Sequence, residues 1–293
     1  MSYQSSKYYE KIINSGILIS GVPRSGTSLI SQIISTTGNF EFNFDPFFLN
    51  TINLNDKKNP KITKLMLEQY LVDDFFYDSF SYRRINLNMG EKSYSFNFKT
   101  KKYKNKLFSK EIFFKNYKSR KLLIKIVGLS NTILLQKYFK IKTVLILRNP
   151  HDVIKSIIKK NWFTNNSFKS GKFPLFFEKN NFKFPVWIEN ENRMKWKNYS
   201  YPNRVAFYVY DELKKILKTD FNIAISFENF LENPSFEIDK LRKITKVKYN
   251  KQFLKLKKKI KKTKKTYKKI LIEKDLELKI NTLYKKIKIK YKL

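Results

Sequence analysis

Residues 21–30 read GVPRSGTSLI. Gly21, Gly26 and Ser28 keep the spacing of a phosphate-binding loop, G-x-x-x-x-G-x-[ST], in which backbone N–H groups cradle an anion. The lysine that usually precedes the last hydroxyl residue is replaced by Thr27, and a different cation, Arg24, stands inside the loop. Upstream, GILIS (16–20) is a short apolar run that predicts a buried strand. Downstream, Leu29, Ile30, Ile33 and Ile34 recur at helical spacing, with Gly38 placed to stop the helix. A turn between a strand and a helix directs several N–H groups at one point, and the helix dipole favours an anion there. Gly21 and Gly26 let the backbone turn tightly, Thr27 and Ser28 add hydroxyl donors, and Arg24 can fork onto two oxygens of a phosphate or sulfate.

The same arrangement returns later. TVLIL (143–147) predicts a second strand, followed directly by Arg148, Asn149 and Pro150. Val153, Ile154, Ile157 and Ile158 then trace one face of a helix, with Asn149 as N-cap and Pro150 in the first turn. KLLIKIVG (121–128) predicts a third strand, followed by a helix over Thr132 to Phe139. FNIAISF (221–227) predicts a fourth, preceded by a helix over VAFYVYDELKKILK. Strands alternating with helices predict an α/β fold, a three-layer α/β/α of P-loop type with a largely parallel sheet. Residues 97–120 and 161–204 show no clear period, and long stretches of that kind often serve as lids or substrate loops. The tail from Lys251 to Leu293 holds 18 lysines and predicts two basic helices packed on the rest. The expectation is one domain over 1–293, with a core over 15–245 and a lysine-rich tail over 246–293.

Composition narrows the function. The 293 residues include no cysteine and one histidine, which excludes disulfides, thiolate nucleophiles and zinc–thiolate sites and argues against a histidine-rich metal centre. No run approaches the length of a membrane span, and the N-terminus has no apolar signal core, so the expected location is cytoplasmic, with peripheral membrane association left open. The net charge of +38 attracts anions, but it comes from 62 basic residues of which eight are arginine, in a chain with only two alanines. Lys, Asn, Ile, Phe and Tyr share A/T-rich codons, so the charge alone does not name nucleic acid as a partner.

Loss of the loop lysine argues against γ-phosphoryl transfer, and Arg148 stands where a magnesium-binding aspartate would follow the second strand. Two cations at two strand ends, without magnesium ligands, fit 3′-phosphoadenosine-5′-phosphosulfate (PAPS) better than ATP. PRSGT (23–27) resembles the 5′-phosphosulfate loop of PAPS-dependent sulfotransferases, in the form found in their bacterial, carbohydrate and tyrosylprotein branches. LRNPHDVIKS (147–156) resembles the family's RDPRDVxxS element, and ISFENFLENPSFEIDKLRKI (225–244) resembles a third element that closes the fold. The resemblance implies that Pro23, Arg24, Ser25, Gly26, Thr27 and Ser28 hold the sulfonated end of PAPS. It implies that Arg148 and Ser156 hold the 3′-phosphate, and that no metal is required. Asn149 replaces the family's usual aspartate, and no glycine follows Gly171, so the animal cytosolic branch's glycine-containing tail clamp is missing.

Sulfuryl transfer needs a base for the acceptor proton and positive charge on the leaving oxygens. Arg24 supplies the charge. In NFEFNFDPFF (39–48), Asp45 occupies the place where the tyrosylprotein and several carbohydrate branches carry a catalytic glutamate. Its phenylalanine neighbours would raise its pKa by desolvation; the competing reading is a helix cap ahead of Pro46. Glu91 in GEKSYSF is the second candidate base, and a surface turn glutamate is its alternative. Lys92 is a candidate for holding acceptor or sulfonate against an ordinary solvated lysine, and Lys125 is an unusual lysine inside an apolar strand. His151 falls beside the 3′-phosphate element, away from the sulfur, and is assigned a structural role. Trp162, Trp187 and Trp196 either stack on a ligand or pack a core.

The expected activity is transfer of a sulfonate from PAPS to a hydroxyl of a carbohydrate or glycolipid, with protein tyrosine a weaker candidate. Two alternatives remain: a degenerate P-loop kinase, and a basic binding module of the same fold that has lost catalysis and engages a polyanion.

Overall fold

A computed structural model describes residues 3–37, 40–44, 49, 52, 56, 58–81, 95–97, 102–104, 121–164, 176–179, 181–185, 187–188, 190–245 and 270–293. They group into two compact units. The first comprises Met1–Gly21, Gly26–Ile146 and Phe221–Lys261, the second Val22–Ser25, Leu147–Asp220 and Lys262–Leu293.

The first unit is built on a five-stranded sheet. Its strands are β1 (Ile17–Ser20), β2 (Phe40–Phe44), β3 (Lys121–Lys125), β4 (Lys142–Leu147) and β5 (Ile223–Ser226), in spatial order β2-β3-β1-β4-β5. β1 runs parallel to both neighbours, pairing Ile17 with Leu123 on one side and with Lys142 on the other, and β2 runs parallel to β3. Side chains alternate across a strand, so Ile17 and Ile19 point to one face and Leu18 to the other. On the first face they meet Ile30, Ile33 and Ile34 of α2 (Thr27–Thr37), Phe230 of α8 (Phe227–Glu232), and Ile238 and Leu241 of α9 (Pro234–Thr245). On the second, Leu18, Leu122 and Ile124 meet Ile13 of α1 (Tyr3–Ser15), Leu67 and Leu71 of α3 (Pro60–Ser81), and Leu134 and Leu135 of α4 (Leu129–Tyr138). Both faces are covered, which is why β1, β3 and β4 read as unbroken apolar runs. The fold is the expected three-layer α/β/α.

β1 and β4 are neighbours, yet the chain leaves β1 toward β2 on one side and β4 toward β5 on the other. Open α/β sheets bind ligands beyond the carboxyl ends of strands at such a switch point.

The second unit contains α5 (Pro150–Ile158), a hairpin of Phe176–Lys179 with Phe182–Pro185, α6 (Arg193–Asn198), α7 (Tyr201–Lys218) and α10 (Lys274–Tyr291). Its core is aromatic. Phe163 and Trp196 are fully buried, and Trp187 and Tyr208 pack edge-on or tilted against them with ring centroids 4.8–6.0 Å apart. Trp162 packs on Phe163 from a half-buried position. Trp187 and Trp196 therefore belong to this aromatic core.

Several sequence boundaries shift. The strand predicted over 121–128 ends at Lys125, and the helix after it starts at Leu129 rather than Thr132, behind Gly128, whose φ of 91° ends the extended chain. Phe227 opens α8 instead of closing β5, because the Ser226 hydroxyl accepts from the Asn229 N–H and caps that helix. Residues 161–204, aperiodic in sequence, hold the hairpin and α6. In the tail one helix, α10, is described, and the rest of the predicted helical tail lies outside the described residues. So do Gly38 and most of 97–120.

Candidate functional site

After β1 the chain turns through Val22–Pro23–Arg24–Ser25, closed by the Ser25 N–H donating to the Val22 carbonyl at 3.0 Å. Pro23 at the second position and φ of 74° at Arg24 are features of a type II turn, whose third position normally takes glycine. An arginine there costs about 1 kcal/mol of backbone strain. The Ser25 side chain is 1% exposed and its hydroxyl has no hydrogen-bond partner. A buried hydroxyl without a partner is rare in folded proteins. Pro23 is buried beside it and Thr27 begins α2 buried, with Ser28 half-buried in the same turn. Gly26 has φ of 98°, and a Cβ on it would lie 2.2 Å from the Phe227 ring. No side chain fits at that position.

After β4 the chain makes the opposite kind of corner. The Asn149 side chain accepts from the His151 N–H at 2.9 Å, and Pro150 takes the first helical position, as predicted. Pro150, Val153, Ile154 and Ile157 of α5 are buried, while Ser156 is half-buried on its flank.

Three predicted anion-binding residues meet within the second unit. The Arg24 Nε donates to the Ser156 hydroxyl at 3.1 Å, and an Arg148 guanidinium nitrogen donates to the Arg24 carbonyl at 3.0 Å. Surrounding protein desolvates the Arg24 guanidinium, and this first, with the Arg148 charge second, pushes its pKa below the usual arginine value. Two like charges brought together and partly desolvated favour an anion that bridges them. The arrangement is chemically suited to phosphate or sulfate oxygens.

His151 points elsewhere: its Nε2 lies 3.2 Å from Asn281 Oδ1 and 3.7 Å from Glu277 of α10. Lys125 is 2% exposed at the carboxyl end of β3, paired in register with Ile19 and Phe44. Asp45, Glu91 and Lys92 lie outside the described residues. Among the described residues no group of three or more His, Asp or Glu side chains is placed to hold a metal. Sequence reasoning missed two supports of the loop. Phe227 lies against Gly26, with no local signal for it. The Ser20 and Thr132 hydroxyls meet at 2.6 Å at the end of β1, a pair joined across 112 residues of chain.

The sheet order and the helices on both faces define a three-layer α/β/α protein. The chain belongs to the sulfotransferase domain family, whose model matches residues 14–285. It is a sulfotransferase, as the three sequence elements imply. Among solved structures it is similar to the sulfotransferase domain of the Synechococcus PCC 7002 olefin synthase, at 12% identity and a TM-score of 0.49 over 92% of this chain and 93% of that one. It is also similar to the sulfotransferase domain from the curacin biosynthetic pathway, at 14% identity and a TM-score of 0.41 over 81% and 76%. A third likeness is to retinol dehydratase, solved with retinol and PAP, at 15% identity and a TM-score of 0.29 over 87% and 69%. No curated protein matches the sequence.

Proposed function

We propose that this sulfotransferase moves a sulfonate from PAPS to a hydroxyl group of a carbohydrate or glycolipid. The observation that carries the nucleotide assignment is the meeting of Arg24, Arg148 and Ser156. When bound, PAPS supplies a sulfonate on a phosphate leaving group. Arg148 and Ser156 hold the 3′-phosphate, donating charge-assisted hydrogen bonds that a nucleotide lacking this group would not receive. The Ser156 hydroxyl accepts from Arg24 and keeps its own O–H to donate, so a phosphate can take Ser156 as a donor while the guanidinium stays beside it. Arg24 neutralises charge building on the leaving oxygen in this reading. Pro23, Ser25, Gly26, Thr27 and Ser28 hold the sulfonated end, an assignment that rests on the loop sequence and, for Ser25, on its partnerless buried hydroxyl.

Asp45 accepts the acceptor's proton in this reading, and Glu91 is next in line. The carbohydrate or glycolipid acceptor is supported by the PRSGT form of the loop. Residues 1–293 act as one sulfotransferase domain, with 15–245 as its core and 246–293 as a tail. The expected location is cytoplasmic; among the described residues no helix is long and apolar enough to cross a membrane.

The test is transfer from radiolabelled PAPS to a panel of glycans, glycolipids and tyrosine peptides. Wild type should label a glycan or glycolipid, Arg24→Ala should lose transfer, and Asp45→Asn should lose transfer while still binding nucleotide. Label on tyrosine peptides alone would overturn the acceptor class, and full turnover by Asp45→Asn would remove that residue from the mechanism.

A further inference from the structure

The last helix carries a second surface unrelated to the nucleotide residues. α10 is fastened along its inner side. Leu276, Ile280 and Ile287 are buried, and α10 packs on α7. At one end Asn203 and Glu273 exchange two hydrogen bonds of 2.8 and 3.1 Å. At the other, the Lys290 ammonium donates to the Leu217 and Thr219 carbonyls and to Asp220, and the Tyr291 hydroxyl donates to Thr219. With its inner face so anchored, the helix leaves Leu278, Thr282, Lys285 and Ile289 exposed on its outer face.

That outer face is not uniformly polar. Leu278, Thr282, Lys285 and Ile289 follow one another at spacings of four, three and four, so they form one stripe. Leu278 is 66% exposed and Ile289 69%, and Leu271, just before the helix, is 81% exposed. Lys274, Lys285, Lys286 and Lys292 stand exposed on or beside the stripe. Of the acidic residues of the segment, Glu273 bonds Asn203 and Glu277 faces His151, while Asp275 stays exposed in the first turn and pairs with Lys279. The stripe therefore presents aliphatic side chains set among lysines.

We infer that this face docks the protein on an anionic membrane surface, with the helix axis in the plane of the headgroups. Lysines at the rim meet lipid phosphates and carboxylates, while Leu271, Leu278 and Ile289 enter the boundary between headgroups and acyl chains. A nucleic acid would satisfy the lysines but leave the aliphatic side chains in water, since its affinity comes from phosphate neutralisation. The aliphatic positions decide for lipid. Three such residues make a shallow contact, so binding is reversible and requires the anionic component.

The test uses the full chain in co-sedimentation with vesicles of phosphatidylcholine alone or with one third phosphatidylserine. The expected result is binding to the anionic vesicles about tenfold stronger than to the neutral ones, with charge and burial acting together. Leu278→Gln with Ile289→Gln should weaken it about fivefold or more, as should Lys285→Gln with Lys286→Gln. Both double variants should bind adenosine 3′,5′-bisphosphate as wild type does, which also shows that they fold. Equal partition to both vesicle types, or no binding, overturns the proposal. So does a Leu278/Ile289 variant that sediments like wild type, or full displacement of the protein from vesicles by a DNA oligonucleotide bound equally by that variant. If wild type binds vesicles but not the bisphosphate, the docking face stands and the nucleotide reading falls.

Discussion

The two strand-end corners, after β1 and after β4, solve neighbouring problems in opposite ways. The first is strained and unsatisfied: an arginine at φ of 74°, a glycine at φ of 98° packed under Phe227, and a buried serine hydroxyl with no partner. The second is relaxed, with a proline where a helix tolerates it and an asparagine cap bonded to the His151 N–H. Strain held by surrounding structure is characteristic of sites where geometry serves a ligand. The corner after β4 is held by its own cap and proline, with no positive φ among its residues. The corner after β1 leaves the Ser25 hydroxyl without a partner.

This contrast can be broken experimentally, starting where the effect is largest. Gly26→Ala should destabilise the protein by about 2–4 kcal/mol in urea unfolding, combining overpacking against Phe227 with backbone strain. Adding Phe227→Ala should restore the contact part only. An unchanged midpoint in Gly26→Ala would mean that the loop is not held as described. Ser156→Ala should weaken adenosine 3′,5′-bisphosphate binding by about tenfold, the value of one hydrogen bond to a charged group, and leave adenosine 5′-monophosphate binding unchanged. A smaller effect separates two Arg24 variants: Arg24→Gly should be about 1 kcal/mol more stable than Arg24→Ala, because glycine accepts the positive φ. Equal stabilities would show the turn to be unstrained. At the small end, Asn281→Ala should weaken bisphosphate binding about threefold through the lost His151 contact that steadies α5. An equal loss for the monophosphate would assign Asn281 to general stability.

The sheet was legible because both its faces are buried, which gives β1, β3 and β4 unbroken apolar runs of three or four residues, 17–19, 122–124 and 144–147. β2 was not: FEFNF alternates aromatic and polar residues at the edge of the sheet, and its region draws attention for its carboxylates instead. The second unit was hard to read for a different reason. Phe163, Trp187, Trp196 and Tyr208 pack ring against ring without helical or strand spacing, so no period announces their core. Of the site, the Arg148 corner was readable from local rules, namely the Asn149 cap and Pro150 at the first helical position. The contact between Arg24 and Ser156, 132 residues apart, was reachable only through the family's paired motifs. The strain at Arg24 was invisible, since a type II turn advertises itself by glycine at the position arginine occupies.

The central proposal is that Arg148 and Ser156, which meet Arg24 within the second unit, hold the 3′-phosphate of PAPS. Calorimetric titration of wild type and Arg148→Ala with adenosine 3′,5′-bisphosphate and adenosine 5′-monophosphate tests it most directly. Wild type should prefer the bisphosphate by about a hundredfold, and Arg148→Ala should lose most of that preference with little change for the monophosphate. Equal affinity of wild type for the two nucleotides, or a preference that survives in Arg148→Ala, would contradict it.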